Sequence, residues 1–151
     1  MSWTARLAEL GIPLPSVATP SGSYVPAVRT GSLVFTAGQV PFVDGKPAAI
    51  GKVGAEIDGE RAYELARICA LNALAAVDGL VGLDSIVRVV KVVGFVASAP
   101  GFTAQPAVVN GASDLLGEVF GDAGAHARSA VGVAELPLGV PVEVELVVEV
   151  V

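Results

Sequence analysis

The sequence predicts an α+β fold, a sheet with two main helices packed on one face, and three observations carry that prediction. Residues 57–77 repeat apolar side chains at helical spacing. Residues 86–97 and 142–150 are dense in valine, the residue type that suits a pleated, half-buried surface. The segments follow one another as hairpin, helix, strand, helix, strand, strand, an order that layers helices against strands.

Each element has its own local reason. Ser2 is suited to cap a short helix over residues 2–10, with Gly11 just past its end, so an extra N-terminal helix is expected. Pro13, Pro15 and Pro20 then force an extended connector. Residues 24–29 and 33–37 read as two strands around a Thr30-Gly31-Ser32 turn, and Asp44-Gly45-Lys46 as a second turn. In the helix over 57–77, Ala62, Leu65, Ala66, Cys69, Leu71, Ala73, Leu74 and Val77 form a broad apolar stripe, and Asp78-Gly79 is expected to end it. Asn72, inside that stripe, reads as a packing or hydrogen-bonding residue. The run from Ile86 to Ala97 is nearly continuous in apolar residues, which predicts a strand covered on both faces. A second helix over 104–120 is weakened by Gly111 and Gly117. Strands over 127–134 and 142–150 complete the chain, and in the last of them Glu143, Glu145 and Glu149 alternate with valines, giving one polar and one apolar face.

Composition narrows the function classes. The 151 residues fit a single domain over 1–151, with no internal repeat or low-complexity segment. Hydrophobic residues make up 53% and charged residues only 16%, an apolar balance that suggests surface buried between subunits. A net charge of -6 and the lack of a Lys/Arg cluster argue against nucleic acid and against a membrane surface as partner. The N-terminus does not read as a signal peptide and no run is long and Gly-free enough to span a bilayer, so a cytoplasmic location is expected. Cys69 is the only cysteine and lies in the helical stripe, where a buried inert thiol is favoured over a nucleophile. With one His, His126, and one Cys, no zinc site or Ser/His/Asp triad of standard type is assembled, and no metal-ligand spacing or phosphate loop is present.

What remains is a set of polar residues in apolar surroundings: Tyr24, Thr36, Gln39, Asn110, Arg128 and Glu143. Arg128 stands out because no other Lys or Arg follows Lys91. Its guanidinium is suited to bidentate capture of a carboxylate or phosphate, and equally to a structural ion pair with Glu143 or Glu145. The others have structural roles open to them as well: Tyr24 capping a sheet edge, Gln39 bracing a turn, Asn110 bonding helix backbone.

Gly22-Ser23-Tyr24, Thr36-Ala37-Gly38-Gln39, Val109-Asn110, Ala127-Arg128-Ser129, Leu136-Pro137 and Val142-Glu143-Val144-Glu145 occur in an order that resembles the YjgF/RidA family, also labelled endoribonuclease L-PSP. The resemblance covers the chain from about Gly22 onward, and the longer chain with its N-terminal helix resembles a less-studied branch. It implies a chorismate-mutase-like sandwich with a mixed sheet, and a homotrimer with clefts between neighbouring subunits. It implies hydrolysis of reactive enamine/imine intermediates such as 2-aminoacrylate to a 2-keto acid and ammonia, with no metal or organic cofactor. On this resemblance Arg128 grips the substrate carboxylate, Glu143 positions the attacking water, and Tyr24, Gly38 and Asn110 line the cleft. The chain departs from the family pattern at Ala130, where many members carry cysteine, and at Ala37, where serine is common; thiol chemistry at 130 is thereby excluded. The alternative is a non-catalytic trimer that binds small carboxylates through the same arginine, and a ribonuclease is disfavoured by the acidic charge.

Overall fold

The structure, a computed structural model, describes residues 2–151. Its helices are α1 (Trp3–Leu10), α2 (Gly59–Val81) and α3 (Gln105–Phe120). Its strands are β1 (Ala27–Thr30), β2 (Leu33–Thr36), β3 (Phe42–Val43), β4 (Lys46–Pro47), β5 (Ile86–Ala97), β6 (Ala127–Val133) and β7 (Val142–Val150). Five strands form one sheet in the order β1-β2-β7-β5-β6. Every neighbouring pair is antiparallel except β5 and β6, which run parallel because α3 carries the chain across between them. The sheet is therefore mixed, as the resemblance implied.

α2 and α3 share one face of this sheet. Leu65, Cys69, Leu74 and Val77 of α2, and Val108, Val109, Leu115 and Leu116 of α3, are buried against Val34, Val89, Val92, Val144, Leu146 and Val148 of the strands. The removal of this aliphatic surface from water is the main favourable contribution to folding. Gly111, a poor helix former, lets the two helices touch. A Cβ at 111 would collide with the backbone carbonyl of Tyr63 on α2, so the glycine is required by close approach.

Four details differ from the sequence reading. Tyr24 lies outside β1, which starts at Ala27 after Pro26, a residue with no N–H to give a ladder. α2 runs through Asp78-Gly79 to Val81. Asp78 does not break the helix; its carboxylate accepts the Leu83 amide at 2.8 Å, and Gly82, with φ 83°, makes the exit. β6 ends at Val133. The largest difference is β5, which is covered on one face only. Val93 and Phe95 on the other face are half-buried, beside Glu143, Glu145 and Val147 of β7. Two register shifts near the start of β5 break the strict alternation there.

The N-terminal helix forms as expected, with the Ser2 hydroxyl accepting from the Ala5 amide at 3.0 Å and Gly11 closing it at φ 69°. Its role becomes visible only in the fold. The Trp3 indole donates to the Ile86 carbonyl at 2.8 Å and meets the Phe120 ring edge-on at 5.0 Å. The Arg6 guanidinium donates to the Glu118 carbonyl in the last turn of α3, at 3.2 and 3.1 Å. α1 thus clamps the end of α3 to the start of β5. No helix of the described residues is long and apolar enough to cross a membrane.

Candidate functional site

The candidate residues fall into two groups on opposite faces of the sheet. Arg128 lies on β6, an edge strand, in register with the buried Val92 of β5, so its side chain rises on the helix face. There α3 presents Pro106, Asn110 and Ser113, residues spaced four and three apart and hence on one stripe of the helix. Arg128 Nη1 donates to Asn110 Oδ1 at 2.7 Å and to Ser113 Oγ at 3.2 Å, and Nη2 donates to the Pro106 carbonyl at 3.3 Å. All three acceptors are neutral. Among the described residues no carboxylate pairs with Arg128. The ion pair with Glu143 or Glu145 that the sequence left open is not formed, because those side chains stand on the other face. Asn110 likewise serves Arg128 with its side-chain oxygen in place of bonding helix backbone.

Of the five N–H donors of a guanidinium, these contacts use both on Nη1 and one on Nη2. The Nε–H and one Nη2–H remain, and Nε and Nη2 bound one edge of the fork. That pair is the geometry that grips a carboxylate through two parallel hydrogen bonds.

Glu143 lies on β7 opposite Phe95, on the outer face. It borders an open depression of about 680 Å³ shared with Tyr24, Val28, Phe35, Ala37 and Gly38. The local backbone explains how it is reached. β2 leaves the ladder at Thr36, whose buried hydroxyl accepts the Leu146 amide at 3.0 Å in place of a backbone carbonyl. The ladder resumes at Gln39, whose amide and carbonyl pair with Val144 at 2.8 and 2.9 Å. Ala37 and Gly38 bulge out between these two anchor points, and the Glu143 carboxylate lies directly over Gly38. A Cβ on Gly38 would stand 2.6 Å from Glu143 Oε2, so only glycine admits the carboxylate there.

The electrostatics of Glu143 differ from those of an ordinary surface acid. Burial, and then repulsion from Glu145 two residues on, raise its pKa. Among the described residues no hydrogen bond or ion pair holds its carboxylate.

The structure therefore brings Tyr24, Gly38 and Glu143 together, and Asn110 and Arg128 together, but it does not join the two groups within one chain. Thr36 and Gln39 are ladder residues. Asn72 donates to the Val40 and Phe42 carbonyls at 3.0 and 3.2 Å and ties the chain after Gln39 to α2. Cys69 is buried, its thiol directed at the Val142 carbonyl at 3.7 Å, and burial pushes its pKa well up. Tyr24 is exposed, its hydroxyl accepting from the Ser21 amide at 3.3 Å. Sequence reasoning did not single out Ser113 or Pro106. Their spacing around Asn110 was the available signal, once Asn110 was a candidate.

Known proteins share this arrangement of chain. A family model described as "YjgF/chorismate mutase-like, putative endoribonuclease" matches residues 4–150. Protein TCP17 of Trypanosoma cruzi is 45% identical over 147 residues, 96% of this chain and 92% of that one. The structure of Atu1372 from Agrobacterium tumefaciens is 43% identical, covers 99% of this chain and 92% of its own, and has a TM-score of 0.88. A Shewanella oneidensis structure provisionally assigned to the endoribonucleases is 33% identical, covers 99% of this chain and all of its own, and has a TM-score of 0.95. By the match over nearly its whole length, the chain belongs to the YjgF/chorismate-mutase-like family.

Proposed function

We propose that the protein hydrolyses small carboxylate-bearing imines, and enamines through their imine tautomers, to 2-keto acids and ammonia. The observation that carries this reading is Arg128: it is held by neutral acceptors, keeps its Nε–H and one Nη2–H, and has no carboxylate partner among the described residues. A substrate carboxylate completes the fork. Glu143, with its raised pKa and a carboxylate unpaired among the described residues, is suited to accept and return a proton. Water adds to the carbon of the protonated imine, the C=N π electrons pass to nitrogen, and Glu143 takes one water proton, leaving a neutral carbinolamine. Glu143 returns that proton to the amine, the C–N bond breaks, and the hydroxyl gives up its proton to the departing ammonia as the C=O forms, so that a keto acid and ammonium are released. The E. coli relative TdcF, 27% identical with a TM-score of 0.60, is described with bound serine, itself a small carboxylate.

The two half-sites require a second copy of the chain to meet. The outer sheet face favours such an assembly: Val28, Phe35 and Val131 are exposed large hydrophobics there, beside half-buried Phe95 and Val147. We take the assembly to be a homotrimer with Arg128 of one subunit facing Glu143 of the next. A light-scattering mass of three chains at micromolar concentration is expected; a monomer would remove the cleft.

The activity test generates 2-aminoacrylate in situ and follows pyruvate release with and without the protein. Acceleration is expected, and its absence would overturn the hydrolase reading. One observation favours a second reading, a carboxylate-binding trimer without catalysis: the Arg128 half-site is fully built without Glu143. Pyruvate binding without imine hydrolysis would select it.

A further inference from the structure

Ser113 and His126 form a cluster behind Arg128 that the proposed chemistry does not use. His126 Nδ1 lies 2.6 Å from the Gly124 carbonyl, and Nε2 lies 2.9 Å from Ser113 Oγ. The donor directions follow from what each group is able to do. A carbonyl only accepts, so Nδ1 carries the proton. In the neutral imidazole Nε2 then has none, and it accepts from the Ser113 hydroxyl. Ser113 has spent its only proton on His126 and so offers lone pairs to Arg128, whose Nη1 donates to it at 3.2 Å. The chain of hydrogen bonds runs one way, from Arg128 through Ser113 and His126 to the backbone of Gly124.

We propose that Ser113 and His126 are positioning residues that select which edge of the Arg128 guanidinium meets a carboxylate. Asn110 and Ser113 together occupy both protons of Nη1. The edge between Nη1 and Nη2 is thereby closed to a ligand, and the edge formed by Nε and Nη2, where the Pro106 carbonyl takes one Nη2 proton, is the one left for it. Because both acceptors are neutral, Arg128 keeps its full charge for the ligand. His126 acts one step further back, since it fixes the direction of the Ser113 hydroxyl. Both residues adjoin the site: Ser113 follows Asn110 by three on α3, and His126 precedes Arg128 by two.

This inference rests on the carboxylate-binding role of Arg128, and two measurements keep the two ideas apart. The first uses pyruvate as the probe, with the Kd read by calorimetry and KM and kcat read for 2-aminoacrylate hydrolysis. Ser113→Ala is expected to raise Kd and KM by roughly three- to tenfold, the loss of one hydrogen bond to a charged fork, with kcat within about twofold. His126→Leu should do the same more weakly, and His126→Gln, whose amide oxygen is able to accept from Ser113, should recover the wild-type values. An unchanged Kd in Ser113→Ala, or a fall in kcat that matches the rise in KM, would overturn the positioning role. The second measurement needs no ligand: rotation of the Arg128 guanidinium about Nε–Cζ, read by ¹⁵N NMR. Hindered rotation in wild type that is freed in Ser113→Ala supports the positioning role, even if wild type fails to bind pyruvate and the carboxylate reading falls. Equal mobility in the two proteins overturns it.

Discussion

The Arg128 and Glu143 half-sites are built on opposite principles. Around Arg128 the protein saturates three of five donors with neutral acceptors, so the cation is oriented but not neutralised. Around Glu143 it withholds partners, buries half the side chain and sets Glu145 beside it, so the anion is costly and its proton is held to higher pH. The first arrangement suits binding, where a fixed fork lowers the entropy lost on capture. The second suits proton transfer, where a group poised nearer neutrality is the more effective catalyst. One half-site lies on the helix face of an edge strand and the other on the open face of a central strand, so each is shaped by its own packing.

The sharpest way to break this division is Glu143→Gln. It keeps the shape and removes the proton acceptor, and turnover should fall by about 10²–10⁴-fold while Kd for pyruvate changes little. An equal loss of binding would show that both half-sites do the same work. Arg128→Lys is the converse change. It keeps the charge and loses the planar fork, and pyruvate affinity should fall by about 10–100-fold, as expected for lost charge-assisted hydrogen bonds. A lysine variant that binds like wild type would mean that charge alone suffices.

Gly38→Ala probes the Glu143 half-site without touching its chemistry. The new Cβ, 2.6 Å from the carboxylate, must displace it, and turnover should drop roughly tenfold or more, since misplacement of a reacting group by ~1 Å is costly. Calorimetric affinity for pyruvate, measured on the same variant, should stay close to that of wild type.

The smallest expected effect is on stability, and its sign is diagnostic. The folded state raises the pKa of Glu143, so folding favours the protonated form. That contribution is fully present below the unfolded carboxylate value of about 4.3 and is lost as pH rises through the higher folded value. Glu143→Gln should therefore melt above wild type at pH 7, by no more than about 2–4 °C given screening at a half-open position, with the gain vanishing toward pH 4. A fall in melting temperature at pH 7 would mean that Glu143 holds the strands together.

The sequence by itself determined the elements and their layering. Helical and strand periodicities are local properties, and the Ser2 cap, the Gly31 and Asp44-Gly45 turns and the buried stripe of α2 were each legible from neighbours a few residues away. It also singled out Arg128, the one cation after Lys91, while the family resemblance picked Glu143 from the glutamates that alternate along the last strand. Which groups surround them was decided only by the tertiary fold. Asn110 and Ser113 meet Arg128, with His126 behind Ser113, because α3 crosses between the parallel strands β5 and β6, and Glu143 lies over Gly38 because Thr36 replaces a backbone acceptor and lets two residues bulge. The apolar run of β5 leaves its outer face undecided for the same reason. An apolar run records that a surface is to be covered, and only the packing of the helices shows which face the chain covers for itself.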